Sequence, residues 1–251
     1  MQAVYRLCGL NIAVSTVWEN THMLMRDYLS TAEELEEGIE FFVATSAEDI
    51  DFERKRSDES HASEDAPPSY TDGYLEELAV LRKISEKLPA YDSFLFHGSS
   101  LCYDGKAYIF TARSGVGKST HASLWRKLLG ERVTMINDDK PFISVNNGVS
   151  YVHGNPYNGK HRLGNNITVP LSAVCLIKRG CENRIRKVSL SEAFPALMLQ
   201  AYRPADPVML AKTLELLDAF TASCGLYELE CNMDIEAARV SFEKMTGEVV
   251  S

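Results

Sequence analysis

One run constrains the fold more than any other: Ala112-Arg113-Ser114-Gly115-Val116-Gly117-Lys118-Ser119-Thr120. Two glycines one residue apart leave the backbone without Cβ atoms and free to take positive φ, which suits a tight loop. Before it, residues 106–111 are apolar and β-prone; after it, residues 119–129 space their apolar side chains for a helix. The order is therefore strand, loop, helix. A helix that starts where such a loop ends points unpaired N–H groups and its positive dipole end at the loop, which makes a seat for an anion. Hairpin signals lie nearby at Asp104-Gly105 and Asn146-Asn147-Gly148. Hairpins beside a strand–loop–helix unit predict an α/β fold with a mixed sheet and flanking helices.

The spacing fits a P-loop with Ala112 in place of the first glycine. In that reading Ser114, Gly115, Val116, Gly117, Lys118, Ser119 and Thr120 form the nucleotide-binding segment. Backbone N–H groups cradle the phosphates, Lys118 reaches the β- and γ-phosphates, and the Ser119 hydroxyl ligates Mg²⁺. Asp138-Asp139 ends the next apolar strand, 132–137, about 20 residues after Lys118. A carboxylate there can hold Mg²⁺, directly or through water. Adjacent side chains at a strand end diverge, so one acid can serve the metal while the other faces an acceptor. His97 ends an expected strand, 94–97, and on its own reads as structural as readily as functional. His121, in the first turn of the helix, reads as packed or partly exposed. The loop 154–162, with Lys160 and Arg162, reads either as a clamp on phosphate or an acidic substrate or as an exposed basic loop.

Charge sharpens the anion reading. The chain carries 26 Lys and Arg against 35 Asp and Glu, a net −9, but unevenly. Residues 1–93 hold 20 acids and 8 bases (8 − 20 = −12), whereas residues 113–187 hold 13 bases and 4 acids (13 − 4 = +9). The basic excess sits around the glycine loop and favours phosphate. The acidic first third argues against nucleic acid. No run of 18 apolar residues exists, so no membrane-spanning helix is expected. Six cysteines, none in a C-x-x-C pair, and no export signal point to reduced thiols in a cytoplasm.

A length of 251 residues suggests one domain with an appendage. Residues 1–52 read as a small β-rich piece with a short helix. Residues 53–73 are polar with two prolines and read as a flexible loop. Residues 74–251 read as the domain that carries the glycine loop, with helices expected at 74–88, 191–201, 207–221 and after Asp234, and strands at 173–178 and 226–230.

The segment FHGSSLCYDGKAYIFTARSGVGKST, with INDDKPF further along the chain, resembles the catalytic domain of the HPr kinase/phosphorylase group over about residues 94–180. That group shares its fold with the nucleotide-binding domain of ATP-dependent phosphoenolpyruvate carboxykinase. The resemblance implies catalytic roles for two residues: His97 assists the catalytic acid, and Asp138 is the general base that takes the acceptor's proton; Lys118 of the P-loop acts with them as the catalytic lysine that meets the phosphates. Asp139 would lie near the metal, with Ser119. The family's Mg²⁺-holding glutamate has no counterpart; the corresponding loop, 155–162, carries Lys160 instead. The activity implied by the resemblance is that of an ATP- and Mg²⁺-dependent phosphotransferase acting on a hydroxyl, a serine of a peptide or protein, or else on a small molecule. The related kinases assemble as oligomers, which leaves a homo-oligomer open. The rival reading is a regulatory module that binds ATP without transferring it. A GTPase-like switch ranks last, since no Asn-Lys-x-Asp guanine reader occurs.

Overall fold

The structure is a computed structural model that describes residues 1–62, 68–159 and 161–250. The chain divides into two units, Met1–Lys87 and Leu88–Ser251.

In the first unit, β1 (Gln2–Leu7) and β2 (Leu10–Ser15) form an antiparallel hairpin. Its two turn residues, Cys8 and Gly9, both take positive φ, as such a turn requires. Two short helices, α1 (Asn20–Met25) and α2 (Ala32–Glu36), lead to β3 (Phe41–Ala44), which pairs parallel to β2. Then come α3 (Ala47–Ser60) and α4 (Asp72–Lys87). Leu75, Ala79, Val80 and Ile84 of α4 are buried, as are Ile12, Val14 and Val43 of the sheet.

This corrects two expectations. Residues 53–60 are helix rather than flexible loop, and α4 belongs to the first unit, not to the glycine-loop domain. The reason is chemical. Helix α3 buries only Ile50 and Glu53, so no apolar stripe announces it. Charge fixes it to α4 instead: Arg82 pairs with Glu53 at 2.5 Å and Asp49 at 3.2 Å, and Lys83 with Asp49 at 2.7 Å. The Arg82 guanidinium also covers the Phe52 ring at 4.6 Å. The centre of the expected loop, 63–67, lies outside the described residues.

The second unit contains β4 (Ser93–Leu95), β5 (Ser99–Tyr103), β6 (Lys106–Thr111), α5 (Lys118–Leu129), β7 (Val133–Asn137), β8 (Phe142–Asn146) and β9 (Val149–His153). It continues with β10 (Thr168–Arg179), β11 (Arg184–Lys187), α6 (Leu190–Met198), α7 (Pro207–Ala222), β12 (Gly225–Cys231) and α8 (Ile235–Thr246). One mixed sheet runs β4-β8-β9-β10-β6-β5-β7, with β12 paired to β10 and β11 to β12. The long β10 joins the two halves: it is antiparallel to β9 over 168–170 and parallel to β6 and β12 further on.

Alternation along the strands builds a core on each face. Tyr108 and Phe110 of β6 pack with Trp125 of α5 and Phe242 of α8; Ala107 and Ile109 pack with Leu197 of α6 and Phe220 of α7. An irregularity between Leu171 and Ala173 lets β10 change parity between the two cores. The mixed α/β class is as expected. β10 is longer than the expected 173–178, β11 is an additional strand, and β4 stops at Leu95, short of His97. No helix among the described residues is long and apolar enough to cross a membrane.

Candidate functional site

Strand order explains why distant residues meet. β5 lies between β6 and β7 and is antiparallel to both, so β6 and β7 run in the same direction. The ends of β6 and β7 and the start of β5 therefore share one edge of the sheet. The glycine loop follows β6, Asp138-Asp139 follow β7, and His97-Gly98 precede β5. β10 and β12 run parallel to β6 and end at the same edge. Ligands of open α/β sheets bind in the crevice at the carboxyl ends of such strands.

Between β6 and α5 the chain turns through Gly115 and Gly117, at φ 78° and 128°. Either conformation would strain a side-chain-bearing residue. Arg113, Ser114 and Gly115 are exposed, and so are Ser119 and Thr120 on the first turn of α5. Lys118 is buried, with Nζ donating to the Ala112 carbonyl at 3.3 Å. Burial holds its ammonium below the ordinary lysine range, against the pull of Asp139 and Asp138. The same electrostatic neighbourhood therefore contains Lys118 and both acids.

Asp138 is buried. Its Oδ1 accepts the Ser99 hydroxyl at 3.0 Å. Gly159 approaches from the other side: a Cβ there would stand 3.1 Å from Asp138 Oδ2. Asp139 is partly exposed and sits between two nitrogen groups, with His97 Nε2 3.4 Å from Oδ1 and Lys140 Nζ on Oδ2. Burial raises its pKa, but His97 and Lys140 outweigh that and bring it down to about 2. His97 is oriented from behind by Gln200, whose Oε1 is 2.9 Å from Nδ1 and whose carbonyl accepts the His97 N–H at 2.8 Å. The Gly98 N–H donates to the Asp139 carbonyl at 3.0 Å, which stitches the two segments together.

Sequence reasoning passed over several supporting residues. Asn137 is fully buried; its Oδ1 accepts the N–H groups of Asp139 (2.9 Å) and Lys140 (2.7 Å), and its Nδ2 reaches the carbonyls of Asn155 and Tyr157. It thus shapes the acidic turn and ties it to the backbone at Asn155 and Tyr157. An Asn immediately before Asp-Asp is a turn signal that could have been read. Arg179, at the end of β10, donates to the carbonyls of Val116 (3.2 Å) and Gly115. Gln200 lies between α6 and α7 and left no local signal.

In the loop read either as a phosphate clamp or as an exposed basic loop, Arg162 is exposed, three residues past Gly159; Lys160 lies outside the described residues. His121 is buried rather than partly exposed, with Nε2 2.9 Å from Ser241 Oγ. Beside the glycine loop, the first turns of α5 and the ends of β10 and β12 enclose a cavity of 410 Å³. Among the described residues no group of three or more His, Cys, Asp or Glu could hold a metal on its own. Mg²⁺ bound with a nucleotide does not need one: one or two protein oxygens suffice beside phosphates and water. An exposed Ser119 hydroxyl and an ionised Asp139 fit that donor set.

No protein-family model matches this sequence, and no curated protein does. Among solved structures the chain is similar to the HPr(Ser) kinase/phosphatase from Coxiella burnetii, at 9% identity over 61% of this chain and 93% of that one, with a TM-score of 0.32. A superposition at that level leaves the reading of the site to the chain's own geometry.

Proposed function

We propose that the chain is an ATP- and Mg²⁺-dependent phosphotransferase acting on a hydroxyl, a serine of a peptide or protein. One observation carries this reading: the strand order brings the glycine loop with its buried lysine, the Asp138-Asp139 turn and His97 to a single sheet edge. Phosphoryl transfer asks little more of a protein than positioning and charge neutralisation. The P-loop N–H groups and Lys118 hold the β- and γ-phosphates. Asp138, aimed by Ser99, takes the proton of the acceptor hydroxyl as its oxygen bonds to the γ-phosphorus and the bond to the β-phosphate oxygen breaks, releasing ADP. His97 fixes Asp139 in place. Ser119 and Asp139 would hold Mg²⁺, which supplies neutralisation of phosphate charge when bound.

A second reading, a regulatory module that binds ATP without transfer, is favoured by one feature: Asp139 spends both carboxylate oxygens on His97 and Lys140. Asp138→Asn separates the two. It keeps size and an oxygen but removes basicity. Transfer from ATP to serine peptides, free serine or small hydroxy acids should fall by about 10²-fold or more, with ATP affinity little changed. Full transfer by the variant would remove the proposed base. No transfer by the wild type to any of these acceptors would favour the module.

A further inference from the structure

Asp139 and Lys140 are neighbours in sequence, and on an extended strand their side chains would diverge. Here they meet, because Asn137 Oδ1 accepts the N–H groups of both and curls the backbone after β7. Asn155 Nδ2 also donates to the Lys140 carbonyl, at 2.6 Å. Two fully buried asparagines therefore fix the Lys140 backbone. The side chain is held far less. It is 36% exposed, and among the described residues the partner of Nζ is Asp139 Oδ2 alone. An ion pair with that much exposure is weak.

In the proposed function an Asp139 oxygen must come free, and the contacts decide which partner gives way. His97 is anchored twice by Gln200, at Nδ1 and at its backbone N–H. Lys140 has no such second anchor among the described residues, and its ammonium rides on a flexible four-carbon stem with three donors to place. Lys140 is therefore the group that leaves. Asp138 gives it no new seat, since Oδ1 accepts the Ser99 hydroxyl and Gly159 stands close to Oδ2. Lys118 repels it: burial is the main reason that Lys118 lies below the ordinary lysine range, and the like charge of Lys140 adds to this. Two ammoniums that repel one another across a crevice are both relieved by an anion placed between them.

We infer that Lys140 is a movable cation, which caps Asp139 while the site is empty and turns to the terminal phosphate of ATP when the nucleotide binds. The ammonium keeps its protons and donates N–H bonds to the γ-phosphate oxygens, so it touches the group that is transferred. The inference deepens the proposed function and rests on its reading of the glycine loop and Asp139.

The test is a calorimetric titration of the full chain with ATP and with ADP, each with Mg²⁺, in the wild type, Lys140→Met and Lys140→Arg. The wild type should bind ATP more tightly than ADP. Lys140→Met should lower ATP affinity by about tenfold or more and leave ADP affinity as it was, because ADP lacks the phosphate that Lys140 meets. Lys140→Arg, which keeps the charge, should retain part of the preference for ATP. Should Lys140→Met not fold, Lys140→Gln takes its place with the same loss expected. A lysine that only caps Asp139 gives a different result: removing it frees the carboxylate, and the affinities for ATP and ADP hold or rise together. That outcome, an equal loss for both nucleotides, or a wild type without preference for ATP would each overturn the inference while the glycine-loop reading stands. Failure of the wild type to bind either nucleotide would remove the glycine-loop reading and this inference with it.

Discussion

The Ser99 hydroxyl donates to Asp138 Oδ1 at 3.0 Å and also lies 3.2 Å from the Asp138 carbonyl. Ser99 is fully buried at the start of β5, so it fixes the direction of the carboxylate from inside the sheet, while Gly159 limits it from the opposite side. A base aimed in this way has little reorientation left to do when an acceptor arrives.

Ser99→Ala removes that hydroxyl and nothing from the glycine loop. A hydrogen bond to a charged group contributes about 1.5–3 kcal/mol. Phosphate transfer should fall by about tenfold, with ATP affinity unchanged, in steady-state assays beside calorimetry. Unaltered transfer would show that Asp138 needs no such support.

In the first unit, Glu76 is fully buried and accepts three donors: Val17 N–H at 2.7 Å, Trp18 N–H at 2.8 Å and the Thr45 hydroxyl at 2.6 Å. Glu76→Ala leaves all three unpaired and should cost about 3 kcal/mol or more, read as a lower denaturation midpoint. A cost under about 1 kcal/mol would mean that water replaces the carboxylate.

His153 sets an acid limit. Burial pushes its imidazole down to about 4, with both nitrogens engaged by Ser144 and Thr168. The folded pKa is depressed, so the folded state keeps the ring neutral while the unfolded chain takes a proton below about 6.5. This contribution is whole above pH 6.5 and is lost as pH falls towards 4, to the extent of about 3 kcal/mol. Denaturation at pH 7.5 and 4.5 should show the loss in the wild type and a smaller one in His153→Gln. Asp139, held at about 2, contributes in a separate window: its stabilisation is lost between its ordinary value and pH 2. Equal pH dependence of wild type and His153→Gln would contradict the assignment.

Much of the second unit was legible because its signals are local. The glycine loop between a β-prone run and an amphipathic helix, and the Asp104-Gly105 and Asn147-Gly148 turns, fall where the residues put them. The resemblance set His97 to assist the catalytic base Asp138, whereas the side chain it meets is Asp139; that pairing depends on β5 lying between β6 and β7, a long-range arrangement with no sequence period. Helix α3 was missed because ion pairs with Arg82 and Lys83, rather than apolar burial, fix it. Gln200 and Arg179 act from strand and helix ends far along the chain, where a single polar residue carries no local mark.

The most direct test of the account is Mg²⁺–ATP binding by Lys118→Ala, measured by titration calorimetry beside the wild type. The substitution removes the ammonium meant for the β- and γ-phosphates. It also removes a buried amine whose charge is disfavoured by burial, so the thermal midpoint should not fall. The account expects affinity to drop by about 10²-fold or more, on the order of 3 kcal/mol, with the fold intact. A folded Lys118→Ala protein that binds ATP as tightly as the wild type would contradict it.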